Sequence, residues 1–207
     1  MIPTAPPSLS PGFHAVPAGH LAAIVTALEM REPPGAPPRP FPAGYALSQM
    51  QSPSNEWYLA LFRVIGAPWL WTSRLRLSPP ALTAILTSPD VDIHALHGGS
   101  TDSDPLGLVE LDFTAKGACE VAFFGLVDRC RRRGLGRPMM DFALHRAWSR
   151  PGVERVWIHT CSLDDPAALR FYQSCGFKPY ARQVEILADP RLAGILPADC
   201  APLHPLL

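Results

Sequence analysis

The chain has 207 residues, enough for one sizeable domain or two small ones, and 47% of them are hydrophobic. It carries 18 Lys+Arg and 18 Asp+Glu, so its formal net charge is zero. This balance argues against a protein that coats nucleic acid or anionic lipid, and the hydrophobic content argues against global disorder.

No apolar run reaches the about 18 residues that a membrane span needs. The first eleven residues lack the basic start and apolar block of a secretory signal. The five cysteines are scattered and show no zinc-site spacing. We therefore expect a cytoplasmic protein with reduced thiols, no membrane partner and no bound metal.

Proline is the compositional outlier: it makes up 25 of the 207 residues, more than twice its usual share of about 5%. Because proline lacks an N–H and fixes φ, we expect residues 1–18 to be irregular and residues 31–44 to form a polyproline-like loop. Between them, residues 20–30 are continuously apolar and predict either a short helix or a buried strand. Residues 1–44 are thus interpreted as an N-terminal extension, 45–189 as the main domain and 190–207 as a tail.

Two short helices are predicted early in the main domain, over 56–65 and 81–87. Asn55 is the expected N-cap of the first, and Pro79 lies in the opening of the second. Between the helices, the apolar residues 69–71 and the alternation of arginine and leucine over residues 74–77 favour an extended segment.

Three strands come next, over residues 91–96, 106–113 and 120–127. Polar turns at 98–105 and 116–117 join them, and links this short suit an antiparallel meander.

The later elements alternate: a helix over 134–148, a strand over 155–161, a helix over 167–175 and a strand over 180–187. Asp165 is the expected N-cap of the second of these helices. This order predicts an α/β (α+β) fold with a mixed sheet and helices on both faces.

The most informative segment is residues 120–140, where a predicted strand runs into an Arg/Gly-rich turn and then a helix N-terminus. The first N–H groups of that helix have no intrahelical acceptor, and the helix dipole is positive there. Gly134 and Gly136 lack a Cβ, so an anion can lie against the backbone. We expect a pyrophosphate site, although neither the GxxxxGK[ST] nor the GxGxxG pattern is present.

The pattern Arg131-x-x-Gly134-x-Gly136 resembles the acetyl-CoA pyrophosphate loop, [QR]-x-x-G-x-[GA], of the GCN5-related N-acetyltransferase (GNAT) superfamily. A second segment, D-x-x-A-x-x-x-Y-x-x-x-G-F over residues 165–177, resembles that family's N-x-x-A-x-x-x-Y-x-x-x-G-F motif. Asp165 replaces the asparagine, so this position has no side-chain amide for a contact to the cofactor. The resemblance covers residues 45–187.

The resemblance implies a mostly antiparallel sheet that is splayed at the cofactor site. It also implies transfer of an acetyl group from acetyl-CoA to a primary amine, by direct attack in a ternary complex. The pantetheine arm would lie against Phe124, Gly125 and Leu126. The remaining cofactor contacts would come from Arg131, Arg132, Arg133, Gly134, Leu135, Gly136, Arg137, Asp165, Ala168 and Tyr172.

The same resemblance assigns the chemistry to two side chains. Tyr172 stands at the family's tyrosine position and is the expected proton donor to the leaving sulfur. Glu120 stands where the histone-acetylating branch has a catalytic glutamate and is the expected base, with a water as the alternative. Burial on an apolar strand would raise its pKa. Thr160 stands where some N-terminal acetyltransferases carry a glutamate.

Several other residues have a structural interpretation beside a functional one. His159 is expected to be a hydrogen-bonded core residue rather than a catalytic one. Glu110 and Asp112 share one strand face, where exposure to solvent is more usual than contact with an acceptor. Three indole rings either line an acceptor pocket or pack in the core: Trp57, Trp69 and Trp71. The thiols of Cys161 and Cys175 are expected to be buried and unreactive.

Two further functions stay open: a non-catalytic acyl-CoA-binding module, and an interaction protein that docks through its proline-rich segments. The acceptor is either a small-molecule amine or a peptide N-terminus. We expect no nucleic-acid partner, and a homodimer stays open.

Overall fold

The computed structural model describes residues 9–98 and 104–206. The predicted turn at 98–105 therefore lies mostly outside the described residues. In chain order the regular elements are β1 (His20–Met30), β2 (Tyr45–Gln49), α1 (Asn55–Gly66), α2 (Pro79–Leu86), β3 (Val91–Gly98), β4 (Gly107–Asp112), β5 (Ala118–Leu126), α3 (Gly136–Ser149), β6 (Arg155–Cys161), α4 (Ala168–Ser174) and β7 (Lys178–Ala188).

The strands form one sheet in the order β2-β3-β4-β5-β6-β1-β7. Strands β3, β4 and β5 make the predicted antiparallel meander. The β5–β6 pair is parallel, and β1 runs antiparallel to both β6 and β7. The predicted fold class, a mixed and mostly antiparallel sheet with helices on both faces, is confirmed.

Strand β1 resolves the choice that the apolar run at His20–Met30 left open. It pairs with β6 on one side and β7 on the other, and Ala27 and Leu28 are fully buried. Residues 25–28 are buried on both faces, and the run has no polar alternation, so its sequence pattern cannot be told from that of a short buried helix. Part of the predicted N-terminal extension thus belongs to the same sheet as the later strands.

Two local predictions around α1 are wrong. The N-cap is Ser54, whose Oγ accepts a hydrogen bond from the Trp57 N–H at 3.2 Å, whereas Asn55 binds Pro79 and Thr83. Trp69 ends a short 3-10 helix, and residues 70–77 form turns and irregular backbone instead of an extended segment. Leu70 adopts a left-handed conformation there, with φ of 57°.

The helices lie on two faces of the sheet. Tyr58 of α1 reaches Glu110 of β4, which defines the α1 face. Ile93, the β3 partner of Glu110, faces the same way. The neighbouring His94 points to the other side, where its ring meets Phe142 of α3, which defines the α3 face.

Glu110 is a buried member of an ion pair and not the solvent-facing carboxylate that the sequence predicts. Its side chain is 0% exposed and accepts from the Tyr58 hydroxyl and, at 2.5 Å, from Arg74. The Arg74 guanidinium also lies 4.9 Å from the centre of the Phe123 ring. Burial and the carboxylate raise the pKa of Tyr58. These contacts tie the turn after α1 to the sheet.

The C-terminal segment, residues 189–204, is folded against the sheet. Arg191 is buried, pairs with Asp189 at 2.7 Å and donates to backbone carbonyls of Cys200, Ala201 and His204. Its apolar side chains pack with β1 and with the turns that follow α1 and β6, in a cluster of Ala23, Leu70, Leu163, Leu196 and Ala201. No helix among the described residues is long and apolar enough to cross a membrane.

His94 generates a prediction about stability and pH. Both ring nitrogens are buried and have no hydrogen-bond partner within the described part of the chain, and burial lowers the pKa of His94 to about 4. As the pH falls, His94 is therefore protonated in the unfolded chain before it is protonated in the folded protein. The free energy of unfolding decreases between about pH 6.5 and pH 4, by at most about 1.4 kcal/mol per pH unit.

We expect His94→Leu to reduce this loss. Urea unfolding of both proteins at pH 7.5 and pH 5 measures it. An equal drop in the two proteins between these pH values would show that His94 does not cause the acid sensitivity.

Candidate functional site

The candidate site begins where β5 and β6 separate. Their parallel ladder joins three residue pairs, from Ala118↔Arg155 to Glu120↔Trp157. Beyond Glu120, β5 continues to Leu126 without further pairing to β6 within the described ranges. A gap therefore opens between two neighbouring strands, and backbone hydrogen-bonding groups of β5 face into it.

The gap leads into a cleft of about 380 Å³. The cleft brings together most of the predicted cofactor-binding residues: Phe124, Gly125, Leu126, Arg131, Arg132, Gly134, Gly136, Arg137, Asp165, Ala168 and Tyr172. Two predicted residues are not in its lining: Arg133, which is exposed, and Leu135, which is buried in the hydrophobic core. Five lining residues were not assigned to the cofactor from the sequence: Trp69, Trp71, Asp164, Ala167 and Phe171.

The N-terminus of α3 forms one end of the cleft. Among residues 9–98 and 104–206 no side chain caps this helix, and its first turn has no acidic residue, so its free N–H groups remain available. The preceding loop adopts left-handed conformations at Arg132 and Gly134, with φ of 59° and 76°. Such loops direct successive N–H groups toward a common point, which suits an anion.

The arginines of this corner differ in their roles. Arg131 donates to Asp128 and Asp165 and lies 4.9 Å from the Trp69 ring centre, so it braces the wall of the cleft. Arg137 likewise pairs with Asp141 at 2.9 Å. Arg132 is exposed, lines the cleft and makes no ion pair with the residues that the structure describes.

Helix α4 supplies an aromatic wall. Ala168, Phe171 and Tyr172 share one face because helix positions three and four apart are neighbours, and the Phe171 ring stacks on Phe124 at 5.7 Å. The same spacing from Ala168 could have identified Phe171 in the sequence. Burial of Tyr172 raises the pKa of its phenol.

The start of α4 differs slightly from the prediction. The helix begins at Ala168, and Asp165 caps the turn before it by accepting the Ala167 N–H at 2.9 Å.

The opposite wall comes from the turn after α1. Trp71 Nε1 donates to Asp164 at 3.1 Å, and the other Asp164 oxygen accepts from the Thr160 hydroxyl and the Cys161 N–H. Trp71 therefore both lines the cleft and packs on core rings, and Asp164 joins the walls of the cleft. Gly125 is required here, since a Cβ would lie 2.4 Å from Ile65.

Glu120 and His159 lie together at the last β5–β6 rung, outside the cleft lining. Glu120 Oε1 is 3.3 Å from His159 Nδ1, and the carboxylate raises the pKa of His159. The prediction of a core histidine is wrong, because 46% of the His159 side chain is exposed. No group of three or more His, Cys, Asp or Glu side chains among the described residues is arranged to hold a metal ion.

Residues 65–177, more than half of the chain, match the model of the acetyltransferase (GNAT) family. The chain belongs to this family. The match includes both predicted motifs, so the resemblance found in the sequence is confirmed. Members of the GNAT family generally use acetyl-CoA.

Solved GNAT structures share this fold. A GCN5-related N-acetyltransferase from Kribbella flavida is 24% identical, with 85% of this chain and 63% of that one covered and a TM-score of 0.54. One from Sphaerobacter thermophilus is 18% identical, with 84% and 53% covered and a TM-score of 0.57. This chain thus spans less than two thirds of either protein's length. None of the curated proteins matches the sequence.

The thiols near the GNAT cleft generate a prediction about reactivity. Burial raises the pKa of Cys161 to about 11, and burial also raises the pKa of Cys175. Because the thiolate is the reactive form, we expect both thiols to react slowly with Ellman's reagent at pH 7.5 in the native protein. Unfolding in guanidinium should release all five thiols. Fast labelling of either residue in the native state, mapped by mass spectrometry, would contradict this.

Proposed function

We propose that this protein is an acetyl-CoA-dependent N-acyltransferase that moves an acetyl group to a primary amine, on a small molecule or a peptide N-terminus. The observation that carries the proposal is the junction of the β5–β6 gap with the uncapped N-terminus of α3. One end of the cleft suits a diphosphate, and the other presents unpaired strand backbone. The group that fits both is a pantetheine arm with its pyrophosphate.

The residues of the cleft fit the cofactor in chemical type. The N–H groups around Gly134 and Gly136 would bind the pyrophosphate, with Arg132 as a free cation beside them. The backbone of Phe124, Gly125 and Leu126 would take the place of a neighbouring strand toward the amide groups of the arm. Bound acetyl-CoA supplies an activated acyl group, which the chain itself does not need to form.

The side chains then serve a direct transfer. A backbone N–H near Leu126 would polarise the thioester carbonyl. Tyr172 carries its proton at neutral pH, as a tyrosine with an ordinary or a raised pKa does, so it can donate to the leaving sulfur. The protonated thiols near the cleft favour direct attack over an acyl-cysteine route.

The acceptor would approach from the α1 face. Glu120 and Asp164 lie near His159 on this side, together with Glu185 of β7. A cluster of carboxylates attracts cations, which favours an amine as the acceptor.

The loop from Arg131 to Leu135 and the N-terminus of α3, together called the anion corner, generate a prediction about binding. We expect Arg132→Ala to weaken coenzyme A binding about tenfold, because it removes one charge-assisted contact to phosphate. The matched control is Arg133→Ala, which removes an equal charge outside the cleft and should change the Kd less than twofold. Isothermal titration calorimetry at low salt compares them. Equal losses would show a long-range charge effect, and no heat with coenzyme A for the unmodified protein would overturn the proposed function.

Tyr172 generates a prediction about turnover. We expect Tyr172→Phe to lower kcat about 100-fold while the Kd for acetyl-CoA changes little, since the ring is kept and only the proton donor is lost. Thiol release with a panel of primary amines measures kcat. An unchanged kcat would remove Tyr172 from the chemistry. Tight coenzyme A binding without turnover on any amine would indicate a non-catalytic binding module instead.

A further inference from the structure

His159 occupies a particular place at the mouth of the β5–β6 gap. The last residue pair of the β5–β6 ladder is Glu120 with Trp157. His159 is the next residue of β6 whose side chain lies on the same face as Trp157, and the two rings stack with their centres 6.1 Å apart. Glu120 reaches His159, so both lie on one face. Glu120 pairs with Asp112, which shares a face with Glu110, and this is the α1 face.

The anion corner lies on the opposite side of the sheet. Its helix, α3, packs on the α3 face, where Phe142 meets His94 and Arg146 pairs with Asp92. A ligand held by its diphosphate at that helix and threaded through the gap therefore presents its far end on the α1 face. His159 stands at the edge of the gap on that face.

The imidazole is oriented for proton transfer. Its Nδ1 lies 3.3 Å from Glu120 Oε1, while Nε2 has no hydrogen-bond partner within the described part of the chain. A carboxylate at Nδ1 holds the proton on that nitrogen, which leaves the Nε2 lone pair free. Nearly half of the side chain is exposed, so an incoming amine can reach Nε2.

The other candidate bases at the mouth are less suited. The two oxygens of Asp164 already accept from Trp71, Thr160 and Cys161. Glu120 is less exposed than His159 and is engaged by Nδ1.

We propose that His159 is the catalytic base and that Glu120 is its positioning residue, an inference that rests on the proposed function. The amine nitrogen forms a bond to the thioester carbonyl carbon as its proton passes to His159 Nε2. The carbon–sulfur bond breaks, and the thiolate takes a proton from Tyr172. The products are the N-acetylated amine and coenzyme A, and solvent returns both side chains to their starting protonation states.

The charged surroundings of His159 determine its pH dependence. Carboxylates face it from three elements: Glu120 on β5, Asp164 in the turn after β6, and Glu185 on β7. Arg155 of β6 is paired with Glu29 of β1 and does not offset them. The carboxylates stabilise the imidazolium, so the pKa of His159 is raised and its basic form appears only above that pKa.

The test compares three variants of the full chain. His159→Gln removes the base, Glu120→Gln keeps a hydrogen-bond acceptor but removes its charge, and His145→Gln is the matched control at an exposed histidine of α3. The first readout is the kcat/KM pH profile for acetyl-CoA with a panel of a polyamine, an aminoglycoside and a short peptide. The second is NMR titration of ¹³C-labelled histidines in the free protein, with coenzyme A calorimetry as the check on folding.

We expect His159→Gln to lower kcat/KM at least 100-fold and to retain coenzyme A binding. The acidic limb of the profile, which is the fall of kcat/KM at low pH as the base is protonated, should also disappear. Glu120→Gln should keep activity within about tenfold, with the acidic limb and the His159 titration both shifted to lower pH. His145→Gln should match the unmodified protein.

A full acidic limb in His159→Gln, together with at least 100-fold loss in Glu120→Gln, would assign the base to Glu120 and overturn the inference while the proposed function stands. Unchanged His159 titration in Glu120→Gln would equally overturn the positioning role. No turnover by the unmodified protein on any amine would overturn the proposed function, and the inference with it.

Discussion

The structure depends on one interruption of backbone pairing. Strands β5 and β6 stay hydrogen-bonded for three residue pairs and then separate after Glu120↔Trp157. Unpaired strand backbone away from water is costly, so a gap of this kind persists only where the surrounding contacts hold it open or a ligand satisfies it. In this chain the gap ends at the N-terminus of α3, which no described side chain caps and which by itself favours an anionic ligand.

The contacts that hold the gap open are polar and lie on both of its sides. Asp164 connects Trp71 with the end of β6, and Arg131 connects the loop before α3 with Asp165. On the sheet itself, the buried Arg74–Glu110 pair fixes the turn that carries Trp71. Removing one partner of such a buried pair leaves an uncompensated charge, so these contacts specify the position of the wall even where their net contribution to stability is small.

The proposed chemistry uses the two faces of the sheet separately. The anion corner belongs to the α3 face, and the Glu120–His159 pair belongs to the α1 face. A ligand passing through the gap joins them, which keeps the charged end of the cofactor away from the site where a cationic acceptor is expected. If they lay together, the carboxylates around His159 and the Arg132 guanidinium would pair with each other instead of with ligands of opposite charge.

By itself, the sequence determined the features that depend on local patterns. The Gly134–Gly136 corner, the helix carrying Ala168 and Tyr172, and the β3–β5 meander follow from residue types at fixed spacing, because capping, glycine conformation and helical periodicity act over a few residues. Only the tertiary structure decided the rest. The register that brings His159 beside Glu120, the burial of Glu110, the contact of Trp71 with Asp164 and the insertion of β1 beside β6 join segments far apart in the chain, and such pairings leave no signal in any single segment.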